Sequence, residues 1–170
     1  MYKNEPTISL PVDMSTIPVF YRSGSIIPTK QRFRRSSQIA LSDPYTIWIF
    51  VDESKSLATG KVLIDDGETI DDPNACLIEM RFELLNNQGS LTFKMASGPS
   101  QVKSGLIEKI SIFGLTQKPK EIVKVSTVES GGEKKNLRFT SEANQLHVEN
   151  PMINMSEEWL IQFISFNQEL

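Results

Sequence analysis

From Leu77 to Leu85 the chain alternates with period two. Ile78, Met80, Phe82 and Leu84 fall on one side, and Glu79, Arg81 and Glu83 on the other. That is a strand with one buried and one wet face, because successive side chains on a strand point to opposite faces. Asn86-Asn87-Gln88-Gly89 supplies turn residues, and Ser90 to Ala96 returns with Leu91, Phe93 and Met95 on one face. The two runs form the strongest hairpin in the chain. A hairpin with one apolar face is marginal alone, so it demands a partner layer.

The rest of the sequence repeats that theme. Tyr45 to Val51 is apolar on both parities, which predicts a strand buried on both faces and places Trp48 in the core. Asp52 to Ser56 is a turn, and Val62 to Ile64 is read as the hairpin partner of that strand. Leu106–Phe113, Ile122–Val128, Leu137–Phe139 and Leu146–Val148 follow as short strands, and Trp159–Phe166 closes the chain as a buried one. Near the start, Ile17–Tyr21 and Ile26–Ile27 read as two short strands broken by Arg22-Ser23-Gly24-Ser25, with Gly24 at a positive φ. Pro18 and Pro28 lack the N–H of a central ladder, so both strands are assigned to edges or corners. No helical periodicity of useful length occurs. About eleven short strands separated by turn signals predict an all-β fold, an antiparallel β-sandwich.

Size and charge narrow the function classes. The chain has 170 residues, enough for one domain or for one domain and a piece of another. A net charge of −3 lacks the basic footprint of nucleic-acid binding. The single Cys76 excludes an intrachain disulfide. No apolar run is long enough for a membrane-spanning helix. Met1-Tyr2-Lys3-Asn4 opens no apolar stretch, so no signal peptide is expected here.

Each chemically suggestive cluster has a plain structural alternative. Asp65, Asp66, Glu68, Asp71 and Asp72 crowd one tract. They could offer oxygens to calcium, or a carboxylate pair for glycoside hydrolysis. The EF-hand frame fails, since Val62 and Ile64 fall where ligands belong, and no apolar pocket is evident to raise one carboxyl's pKa. A turn in which Asp side chains accept from nearby amides is favoured. Lys30, Arg32, Arg34 and Arg35 around Phe33 could form an anion patch, but a charged connector packing on its neighbours is favoured. His147 is the only histidine, without a nucleophile motif beside it, and is read as a surface strand residue. One His and one Cys are too few for zinc. Trp48 and Trp159 could stack a sugar, but core packing is favoured for both. Asn154-Met155-Ser156 is an N-glycosylation sequon, and Gln168-Glu169-Leu170 is too far from a retention tetrapeptide to be read as one. No catalytic, cofactor-binding or metal-ligating residue is assigned.

The run Leu10 to Ser37, LPVDMSTIPVFYRSGSIIPTKQRFRRSS, with Asp65-Asp66-Gly67 further on, resembles the segment after the catalytic barrel in glycoside hydrolase family 31. Within that family it is most similar to the glucosidase II-type branch, whose pattern is roughly LPMDMxTIPVFxRGGxIIPxKxRxRRSS. Ser23 departs from it, standing where the family has Gly. The resemblance implies two β-sandwiches that trail the barrel, residues 1–44 being the latter part of the proximal one and 45–170 the distal one. It further implies a parent α-glucosidase that removes terminal α-linked glucose from N-glycans in the endoplasmic reticulum lumen by a retaining mechanism. Both catalytic Asp residues would lie on the barrel, in motifs such as WxDMNE that precede Met1, so this region alone is expected to be inactive. Its implied partners are the parent's barrel and an accessory β-subunit, with carbohydrate met only through the parent and no nucleic acid or membrane. The competing readings are a freestanding carbohydrate-binding module, expected to show an aromatic residue on an exposed sheet face, and a protein-interaction sandwich.

Overall fold

The computed structural model describes residues 7, 9–52, 54–99, 105–115, 117–126, 134–157 and 159–166. The predicted hairpin is present as β4 (Cys76–Leu85) and β5 (Gln88–Ser97), in register from Leu85↔Gln88 to Ile78↔Met95, with a one-residue shift before Leu77↔Ser97. Ile78, Met80, Phe82, Leu91 and Phe93 are buried on its inner face. Around it stand β1 (Ser25–Thr29), β2 (Tyr45–Phe50), β3 (Leu57–Ile64), β6 (Leu106–Phe113) and β7 (Pro119–Ser126). The set is completed by β8 (Lys134–Asn136), β9 (Phe139–Glu142), β10 (Gln145–Asn154) and β11 (Trp159–Phe166). All belong to one 11-stranded sheet in the order β8-β7-β11-β5-β4-β3-β1-β2-β6-β10-β9.

A sheet this wide curls or splits into layers. One core cluster receives Phe82, Leu91, Ile122 and Phe163 from one wing and Ile26, Ile47, Ile110, Leu146 and Val148 from the other. The sheet therefore closes over on itself as a sandwich, with the wings meeting across that core. The crease lies between β1 and β3, which share a single register pair, Ser25↔Thr59. Gly24 (φ 78°) sits at this crease, as its sequence context predicts. Its amide donates to the Phe50 carbonyl at 2.6 Å, and its carbonyl accepts from the Thr59 amide at 3.0 Å. Gly60 passes so close to β1 that a Cβ there would lie 2.2 Å from the Ile26 carbonyl oxygen. Pro28 falls where β1 is paired on the β2 side alone, so its missing N–H leaves no ladder bond unmade.

The all-β sandwich expectation holds, with corrections in detail. The β1/β3 and β2/β6 ladders are parallel, and the others antiparallel. Val62–Ile64 does not pair back on β2. It belongs to β3, which pairs with β4, and β1 lies between β2 and β3. Ile17–Tyr21 is not a strand, because no strand among the described residues pairs with it. Ile26, in the predicted Ile26–Ile27 strand, is buried in the core. Leu137 lies between β8 and β9 rather than in a strand, while the predicted Ile122–Val128 strand is β7 with its last two residues outside the described ones. One short helix, α1 (Ser37–Leu41), follows Ser36, whose hydroxyl oxygen accepts from the Ile39 amide.

Candidate functional site

The basic run after β1 is a connector pinned to the sheet. Arg34 donates to Asp43 twice, from Nε to Oδ2 at 2.8 Å and from Nη2 to Oδ1 at 2.7 Å. Arg32 pairs with Glu108 at 2.7 Å and approaches Asp43 at 3.6 Å. The Lys30 ammonium donates to the carbonyls of Ala40 and Leu41 and lies 4.6 Å from the Tyr45 ring centre. With these cations engaged internally, the anion-patch reading loses its substance.

The acidic tract is the predicted turn. Asp66 Oδ1 accepts from the amides of Glu68 and Thr69 at 2.9 and 2.8 Å, and its Oδ2 from the Thr69 hydroxyl. The Thr69 hydroxyl bond, with those amides, holds the Asp66 carboxyl below the usual carboxylate range. Asp65 caps Gly67 (φ 72°) and Asp72 caps Asn74 in the same way. Asp65, Asp66, Glu68 and Asp71 are exposed, so no two of them share the apolar pocket that would split their pKa values. Among the described residues no group of three or more His, Cys, Asp or Glu side chains could hold a metal ion. Cys76 is buried, and burial pushes its thiol pKa up. The sequon is folded in: Asn154 Oδ1 accepts from the amide and hydroxyl of Ser156, itself buried.

The sheet's outer face over β2, β6 and β10 carries what the sequence reading placed elsewhere. Ile47 and Ile49 point to the core, so Thr46, Trp48 and Phe50 point away from it. Trp48 is thus corrected from core to outer face, whereas Trp159 packs against the core as expected. Register makes the face a grid. Trp48 stands opposite Ser111, which stands opposite His147. Phe50 is opposite Phe113 in the next row, and Lys109 is opposite Glu149 in the row on the other side. Tyr21 stacks on Phe50 at 4.6 Å, Phe50 stacks on Phe113 at 4.9 Å, and Trp48 stands edge-on to all three. Ser111 is buried between Trp48 and His147, and the open depression over this face measures about 530 Å³.

His147 Nδ1 lies 3.0 Å from Ser111 Oγ. Burial lowers the imidazole's pKa, and Lys109 pushes the same way against Glu142 and Glu149, so the folded state favours the neutral ring. Sequence reasoning missed Ser111, Phe113 and Lys109. The signal was there in the parity of LIEKISIF, where Lys109, Ser111 and Phe113 alternate with Ile110 and Ile112.

No family model matches the chain. It is 35% identical over 162 residues to neutral alpha-glucosidase AB of Dictyostelium discoideum, covering 94% of this chain and 16% of that protein. It is 37% identical over 83 residues to glucosidase 2 subunit alpha of Saccharomyces cerevisiae, covering 49% of this chain and 8% of that one. The relatives it matches include α-glucosidases. The chain spans about a sixth of the length of the Dictyostelium relative. The fold is similar to part of a GH31 dextranase of Flavobacterium johnsoniae, with a TM-score of 0.60 and 18% identity over 88% of this chain and 20% of that one.

Proposed function

We propose that this chain is the non-catalytic C-terminal β-sandwich region of a family 31 α-glucosidase of the glucosidase II type, bracing a catalytic barrel that lies outside it. In this reading residues 1–44 are the latter part of a proximal sandwich and 45–170 the distal one. Strand β1 fastens the two together, since it pairs with β2 along its whole length. The parent enzyme hydrolyses terminal α-linked glucose on N-glycans in the endoplasmic reticulum lumen, with an accessory β-subunit as a further partner.

The observation that carries this reading is the run before β1. Met14, Ile17 (85% exposed), Val19 and Phe20 (63% exposed) are apolar and uncovered, and they form no strand. A contiguous apolar surface of this kind marks an interface. The similarity to α-glucosidases spans nearly the whole chain and a small part of theirs, which supports a partner in the remainder of such a protein. The test is made in the complete α-glucosidase containing this segment. Ile17→Asp with Phe20→Asp lowers the yield and melting temperature of the enzyme and leaves kcat per folded molecule unchanged. A fall in kcat at undiminished stability overturns the bracing role.

A second reading, a carbohydrate-binding sandwich, is favoured by Trp48 and Phe113 on the outer sheet face. The two are compatible, because a bracing domain can also hold sugar.

A further inference from the structure

We propose that the slot between Trp48 and His147, floored by Ser111, is a binding subsite for one neutral hexopyranose unit of an α-glucoside. The site is argued from its own geometry, and the choice of sugar rests on the α-glucosidase reading above.

The backbones carrying Trp48 and His147 are two strand spacings apart, about 10 Å, and the two side chains line a depression of about 530 Å³. Between them the row holds Ser111, which is buried (3% exposed) and meets the His147 ring. A depression of that volume has room for one saturated ring. Rings on either side offer apolar surface to the C–H groups of such a ligand. The polar atoms sit below and around it, with Ser111 Oγ and His147 Nδ1 bonded to each other at 3.0 Å. That bond occupies Nδ1 and leaves Nε2 of the imidazole for a ligand hydroxyl. Thr46 and Gln31 line the same depression.

The charges at the rim argue for a neutral ligand. Lys109 and Glu149 are register partners across β6 and β10, so that row carries one charge of each sign. Glu108 is engaged by Arg32 at 2.7 Å. Burial favours the neutral form of the imidazole. What remains is an aromatic-walled depression with hydroxyl and imidazole groups and rim charges of both signs, and a pyranose matches it better than an anion, a cation or a purely apolar group.

The experiment is calorimetric titration of the 170-residue chain with nigerose and with maltose. Saturable binding in the millimolar range is expected. Trp48→Ala and His147→Ala each weaken it about tenfold or more, with the circular dichroism spectrum and melting temperature retained. Ser111→Thr, which adds one methyl to the floor, weakens it as well and serves where Trp48→Ala fails to fold. No saturable binding by the unaltered chain at tens of millimolar sugar overturns the proposal. So does binding that Trp48→Ala and Ser111→Thr leave intact. Neither outcome touches the Ile17/Phe20 result, so failure of the subsite and failure of the bracing role are told apart.

Discussion

Arg34 grips Asp43 through two parallel hydrogen bonds of 2.8 and 2.7 Å, with the Asp43 side chain only 4% exposed. The fork geometry suits Arg and not Lys. It ties the connector after β1 to Asp43, two residues before β2 begins at Tyr45. Arg34's hydrogen bonds hold the Asp43 carboxyl below the usual range, against the opposing effect of burial and with help from Arg32. A carboxyl depressed in the folded state contributes stability above its unfolded value, about 3.9, and loses it as pH falls through the folded value. Acid unfolding followed by circular dichroism is therefore expected to move to higher pH in Arg34→Met. Arg34→Lys restores only part of the difference.

His147 behaves oppositely in charge but alike in sign. Its depressed pKa means the folded state favours the neutral ring. Its contribution is complete above the unfolded value of about 6.5 and declines as pH falls below it. NMR titration of the imidazole is expected to give a midpoint below 6.5, and Lys109→Ala is expected to raise it.

At the crease, Gly60→Ala drives a methyl into the Ile26 carbonyl, a backbone atom that moves only with its strand. Urea unfolding is expected to show a loss of about 1–3 kcal/mol or more.

In the core, Phe163 lies over Gly89, whose missing Cβ leaves it room, and meets Phe82 edge-on at 5.6 Å. Phe163→Ala empties that site and is expected to cost about 3–5 kcal/mol in the same measurement. Leu85→Ala, at an exposed position, is expected to stay within about 0.5 kcal/mol.

The acidic tract spends Asp65, Asp66 and Asp72 on turn amides. Millimolar calcium is therefore expected to leave the melting temperature where a chelator leaves it. A rise with calcium contradicts the turn assignment.

The β4–β5 hairpin and the acidic turn were legible because local rules decide them: period-two alternation in one case, Asp beside Gly in the other. The insertion of β1 between β2 and β3 was not, since it depends on pairings such as Ser25↔Phe50 between residues far apart in the chain. Trp48 was misplaced because YTIWIF is apolar on both parities, and sequence alone does not say whether the second face meets a layer or solvent. Ile17–Tyr21 has strand composition, yet composition cannot supply a partner strand. The helix α1 is five residues long, too short to show a period despite its Ser36 cap.

The central claim is that these strands support catalysis carried out elsewhere, and an assay of the purified 170-residue chain on an aryl α-glucoside tests it most directly. No turnover above the uncatalysed rate is the expected result. Hydrolysis at the rate of an intact α-glucosidase, lost on substituting a carboxylate of this chain, would contradict it.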